Sequence, residues 1–216
     1  MSSPAKRFLS ITEQHRVTEA VRAAEQLTSG EIVPLIASRS HDHPTAAISA
    51  SVALAIPLAL LISSQIGSRH WLGSDSVWLF LITALILHGL LYPIALRTDL
   101  LKRPFLGHRR TEREVERAAV AAFYAEGLHQ TAEANGILLY ISVFEERVWI
   151  LADRSINHLV EQTVWDEMVD ELTRGIRSGK RCEAICATIH RIGEILRQHF
   201  PHHKKDINEL HNLIIH

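Results

Sequence analysis

Cysteine is almost absent: Cys182 and Cys186 are the only two in 216 residues. Two cysteines cannot staple a secreted mini-fold, so a disulfide scaffold is excluded. Glycine and proline are sparse, at 10 and 7, which excludes collagen-like and low-complexity chains. Neither sign of charge dominates. The 23 Lys and Arg face 24 Asp and Glu, a net charge of −1, so there is no bulk basic field to hold nucleic acid. No Gly-rich phosphate loop, G-x-S-x-G elbow or H-E-x-x-H is present, so no motif names a reaction. Residues 1–30 contain no continuous apolar run, and a cleavable signal peptide is not expected there.

What is abundant is apolar residues, and they are unevenly spread. Residues 45–66 and 76–96 each contain no charged side chain. At 1.5 Å per residue, about 20 residues cross a hydrocarbon core of roughly 30 Å. Neither stretch has the polar stripe of a soluble core helix, so both are expected to be membrane spans. Pro57 and Pro93 lie inside them, which lipid-embedded helices tolerate. Trp71, Trp78 and Tyr92 fall near the expected interfaces. The short link at 67–75 makes the pair a hairpin, with both flanks on one side. Near the spans those flanks carry Arg39, Arg97, Lys102, Arg103, Arg109, Arg110 and Arg113, while the link carries only Arg69. The excess predicts cytoplasmic termini, with the first span acting as the insertion signal. The same basic run could also hold anionic lipid head groups. His88, inside the second span, is expected to be neutral and bonded to its partner helix or to a backbone carbonyl.

The flanks read as one α/β domain split by this hairpin, with parts at 1–43 and 98–216 around a membrane segment at 44–97. Ser10-Ile-Thr-Glu13 fits a capping box, and Ile11, Val17, Ala20, Val21, Ala24 and Leu27 follow helical spacing. Residues 31–38 read as a strand, with Pro34 suggesting an edge or a bulge. Residues 97–110 read as irregular, and 111–126 as a helix ended by Gly127. Residues 137–144 form a near-continuous apolar run, the mark of a strand covered on both faces. Glu145-Glu146 fits a tight connection to a strand at 147–152. Two long helices follow, one striped from Ile156 to Ile176 and one from Ile185 to Leu196, separated by Gly179.

Asn135-Gly136 with Ile137–Ser142, then Glu146-Arg147-Val-Trp-Ile and Asp153, resembles the core of the TPM domain. So do Gly30-Glu31-Ile-Val, the helix bearing Trp165, and Arg174-Gly175-Ile-Arg-Ser-Gly179. The tail from His199-Phe200-Pro201 to Asp206, Asn208, Glu209, Leu210 and Asn212 resembles that of bacterial membrane-bound members. The resemblance implies a small three-to-four-stranded mixed sheet sandwiched by helices. It also implies that acid phosphatase activity or calcium binding is a possibility, since some members are described so, although the aspartate-rich loops of calcium-binding relatives are missing here.

If the strands at 31–38 and 137–144 run parallel, one sheet edge gathers Glu31, Asn135 and Asp153, with Arg154 and Ser155 adjacent, on the side away from the membrane. Two carboxylates and an amide oxygen could ligate Ca²⁺ or Mg²⁺. Equally, Asp153 or Ser155 would cap the helix that follows, Glu31 would be a solvated strand end and Asn135 a turn residue. His41-Asp42-His43 and His199 with His202-His203 are weak candidates for a transition metal. Cys182 and Cys186, four apart on a helix, are expected to be packed thiols. No catalytic set can be nominated. The expected function is a non-catalytic interaction or assembly module whose partners are the lipid bilayer and another membrane protein, not nucleic acid. A cation-dependent or acid phosphatase-like hydrolase is the alternative.

Overall fold

The computed structural model describes residues 3–40, 43–70, 76–131, 133–202 and 210–216. The chain divides into two compact units, Met1–His41 with Thr111–His216, and Asp42–Arg110.

The first unit is built on a four-stranded sheet of order β3-β2-β1-β4. Its strands are β1 (Glu31–Ala37), β2 (Gly136–Ser142), β3 (Arg147–Ala152) and the short β4 (Ile214–Ile215). β1 and β2 are parallel, the arrangement supposed for the acidic edge, and β2 and β3 form the antiparallel hairpin that the sequence predicts. Every residue of β1 and β2 is buried, because helices cover both faces. On one face lie α1 (Ile11–Glu25), α7 (Gln162–Arg177) and α8 (Arg181–His199), around Ile36, Ile137, Ile189 and Leu196. On the other lies α5 (His108–Ala125), whose Val115, Ala119 and Phe123 pack on Val33, Leu35 and Leu138.

Local chemistry explains the boundaries. The Ser10 hydroxyl accepts the Glu13 N–H, and Glu13 accepts the Ser10 N–H at 2.8 Å, completing the expected capping box. The buried stripe of α1 is narrower than its sequence suggests. Val17, Ala20, Val21 and Ala24 are buried, whereas Ile11 and Leu27 are exposed. Gly127 and Gly179 adopt φ of 77° and 83°, the left-handed conformation that stops a helix. The helix expected from Ile156 breaks in two. Asp153 caps the four-residue α6 (Arg154–Asn157), and α7 starts afresh at Gln162. Close approach between helices rests on missing side chains. A Cβ on Gly175 would stand 2.4 Å from that of Ala184, and one on Gly193 2.8 Å from that of Ala24.

Pro34 suggests an edge or a bulge, yet β1 lies inside the sheet. The reason is the shortness of β4, which pairs only with Leu35 and Ile36. The Glu31 N–H donates to Asn135 on the β2 side, so alternation turns the Pro34 nitrogen toward the β4 side, where no strand reaches. β4 itself is absent from the sequence expectation, since two residues carry no readable period.

The second unit contains α2 (Pro44–His70) and α3 (Ser76–Arg97), packed against each other and running through Pro57 and Pro93. Both are long and apolar enough to cross a membrane. Their burial is inverted relative to a soluble core. Ala47, Ser51, Ala55, Ala59 and Ser63, each four residues from the last, are the buried face of α2. Leu60, Leu61, Trp78, Leu85 and Leu90 are all more than half exposed. The Ser51 hydroxyl lies 3.0 Å from His88 Nδ1, so the one histidine of α3 is bonded to its partner helix. A short α4 (Asp99–Lys102) follows where irregular chain is expected. It buries Lys102, whose Nζ contacts Asp99 at 2.9 Å and donates to the Leu96 carbonyl at 3.2 Å. Trp71 lies outside the described residues.

Candidate functional site

Parallel pairing brings the starts of β1 and β2 to one sheet edge, and the antiparallel hairpin brings the end of β3 there too. The Glu31 N–H donates to the Asn135 carbonyl, and the Asp153 N–H donates to the Gly136 carbonyl at 2.9 Å. The backbone of the three predicted residues is therefore adjacent. Their side chains are turned to different tasks. Asp153 Oδ1 accepts the Arg154 N–H at 2.6 Å, as a helix cap does. Its other oxygen is buried with no partner among the described residues. The Asn135 amide donates to the Ser29 carbonyl at 2.8 Å, pinning the entrance to β1. Ser155 donates to the Ala134 carbonyl at 2.8 Å, holding a residue at φ 51°. Arg154 is exposed and, among the described residues, supplies its backbone N–H to this edge.

Glu31 is not the solvated strand end of the local reading: it is buried, and it faces a carboxylate that the sequence reading overlooks. Glu25, in the last turn of α1, shares with Glu31, Arg22, Thr28 and His202 a cavity of about 260 Å³. Glu25 Oε1 accepts the Ile32 N–H at 3.2 Å, and Oε2 accepts from Asn212 at 2.9 Å. These bonds cap the part of β1 that β4 does not reach. Burial pushes the Glu25 carboxyl up to about 8, with the nearby Glu31 charge adding to the effect. The available signal is position: an acid in a helix's final turn opposes the macrodipole, and a fold keeps one there for a reason.

The opposite end of the sheet holds a second polar cluster, also unread from sequence. Glu145 is buried and accepts from Ser142 and, at 3.0 Å, from the Ser40 N–H. Ser40 also lies 3.2 Å from the Tyr140 hydroxyl, whose pKa burial raises. These bonds tie the chain leaving β1 to the end of β2 and the β2–β3 turn, a structural task. Cys182 and Cys186 are free thiols facing α1, with Cys186 pushed up to about 11, chiefly by burial.

Among the described residues, no three His, Cys, Asp or Glu side chains gather as metal ligands. A calcium ion takes six to eight oxygens, and the acidic edge presents separate side chains with separate partners. His41, Asp42, His203, Asp206, Asn208 and Glu209 lie outside the described residues, and His202 lines the Glu25 cavity.

Residues 107–195, which cover α5, the β2–β3 hairpin, α6, α7 and α8 as far as Ile195, match the model of the TPM domain. The chain carries a TPM domain. The matched segment omits α1 and β1, which nevertheless complete the same sheet and core. One solved structure, the NMR structure of the BA42 protein from the psychrophilic bacterium Bizionia argentinensis, shares the fold. It aligns over 96% of this chain and 94% of its own, with a TM-score of 0.58 and 20% identity. No curated protein matches the chain.

Proposed function

We propose that this protein is a membrane-anchored TPM domain that binds or assembles partners at a bilayer and turns over no substrate. The observation that carries the reading is the inverted burial of the α2–α3 hairpin. A core helix of a soluble protein is mostly buried, but only 33% of the α2 span and 6% of the α3 span is buried. Small side chains packed inside and large apolar ones outside suit a solvent of lipid. The non-catalytic part is supported by the acidic edge, where Asp153, Asn135 and Glu25 serve backbone groups. The basic excess on the flanks supports cytoplasmic termini. The test is fractionation of the full chain together with phosphate release from p-nitrophenyl phosphate between pH 4 and 9, with and without Mg²⁺. The reading expects membrane association and no release above background.

A second reading has one observation behind it. Glu25 holds its proton to about pH 8 beside Glu31 in an open cavity, as a general acid requires. Phosphate release that Glu25→Gln abolishes would favour a hydrolase.

A further inference from the structure

A groove of about 400 Å³ follows the outer edge of β3, between α5 on one face of the sheet and α7 on the other. β3 is the terminal strand of the sheet. The Asp153 N–H bonds to Gly136, so ladder alternation turns the backbone of Arg147, Trp149 and Leu151 toward β2. Val148, Ile150 and Ala152 then face outward. The Ala152 carbonyl accepts from Asn157 at 3.3 Å. The N–H and C=O groups of Val148 and Ile150 have no bonded partner among the described residues. Native sheets usually cover or blunt such an edge. Here Val148 is only 6% exposed, so its edge is sheltered by the helices on either side without being hydrogen-bonded by them.

A second observation points to an occupant. Trp165 lines the same groove and is 4% exposed, yet its indole Nε1–H has no acceptor among the described residues. Buried tryptophans ordinarily find one. The missing acceptor and the unpaired strand groups ask for the same thing, a polypeptide backbone with carbonyls and amides at strand spacing. The groove also has a charge preference. Its three carboxylates, Glu112, Asp166 and Asp170, outnumber its two guanidiniums, Arg147 and Arg177. Apolar Val115, Trp149 and Val169 line it between them.

We propose that the β3 edge captures an extended segment of another protein as a fifth strand, one that alternates apolar residues with Lys or Arg. Main-chain bonds to Val148 and Ile150 provide affinity, and alternate side chains select the sequence. The inference gives the assembly reading a partner class, but it rests on the groove alone and stands whether or not the hairpin enters a bilayer.

The test uses the full chain in detergent micelles and a positional library of capped hexapeptides, with binding read by tryptophan fluorescence and calorimetry. The expected winners alternate apolar and basic residues. They lose at least tenfold in affinity when N-methylated on the edge that faces β3, and lose as much against Asp170→Arg, an exposed site that leaves the core untouched. Ile150→Pro removes an outward N–H that the β2–β3 ladder does not use and should abolish binding in a chain that still melts cooperatively, at a temperature lowered by the core packing Ile150 supplies. Absence of any binder overturns the proposal, as does binding indifferent to N-methylation. A peptide-resistant dimer in sedimentation would overturn it in favour of a second copy of the chain. Membrane fractionation is unaffected by any of these outcomes, so failure here and failure of the anchoring reading are separable.

Discussion

The two units bury opposite kinds of side chain. In the α/β unit Ile32, Ile36, Ile137, Ile189 and Leu196 are fully buried, and charged residues lie mostly outside. In the α2–α3 hairpin the buried face is Ala47, Ser51, Ala55, Ala59 and Ser63, while Leu61 and Leu85 are 63% and 72% exposed. One chain thus follows two packing rules. In water, large apolar groups go inward because exposure costs about 25 cal/mol per Å². In lipid that drive vanishes, and small residues go inward because they let helix backbones approach. The contrast supports the proposal of a different solvent for each unit more directly than hydrophobic content does.

The comparison can be broken by matched truncations. Ile189→Ala should destabilise the α/β unit by about 2–5 kcal/mol in a denaturant melt, because it opens a cavity in a close-packed core. Leu61→Ala in the hairpin should leave that melt unmoved. Equal losses at the two sites would mean that the hairpin is packed as a soluble core. Next in size is a charge on the hairpin's outer face. Leu85→Arg should cost about 2.5–3.5 kcal/mol of membrane insertion, read as the inserted fraction in a glycosylation-reporter assay. In a water-exposed helix the same change would be harmless.

Glu25 sharpens the comparison within the α/β unit, where a carboxylate is held in partly apolar surroundings. The folded protein keeps this proton to about pH 8, whereas the unfolded chain releases it near 4.5. Stability should therefore fall as pH rises from about 4.5 to about 8. Glu25→Gln should flatten that slope and raise the melting temperature at pH 8, measured by thermal denaturation across the range. A smaller effect belongs to Ser10→Ala, which removes the α1 cap and should cost about 1 kcal/mol. The smallest is that of millimolar Ca²⁺, which should shift the melt of the full chain by less than about 1 °C, given how the acidic edge is occupied.

The legible parts of the fold were those with a long period or a local rule. The Ser10 capping box, the Gly127 and Gly179 stops, the β2–β3 hairpin and the two apolar helices all follow from adjacent residues. The Asp153 cap does too. What stayed hidden depends on distant chain. The two residues of β4 pair with β1 from 179 positions away, beside the Ser38–His216 hydrogen bond, and they decide why Pro34 is tolerated. Glu25 looks like one more surface acid on α1 until Ile32 and Asn212 close around it. Glu145 looks like half of a solvated turn until Ser40 and Ser142 bury it. In the candidate site, sequence identified which residues share an edge, through strand direction, but not where their side chains turn. That is set by partners such as Ser29 and Arg154, whose roles appear only when the loops are folded.

The central claim, that α2 and α3 form a lipid-embedded anchor, is tested most directly by alkaline carbonate extraction of membranes from cells expressing the full chain. The chain should remain in the membrane pellet, and a variant with residues 44–97 replaced by a short flexible linker should move to the soluble fraction. Release of the full chain into the supernatant, folded and monodisperse, would contradict the account.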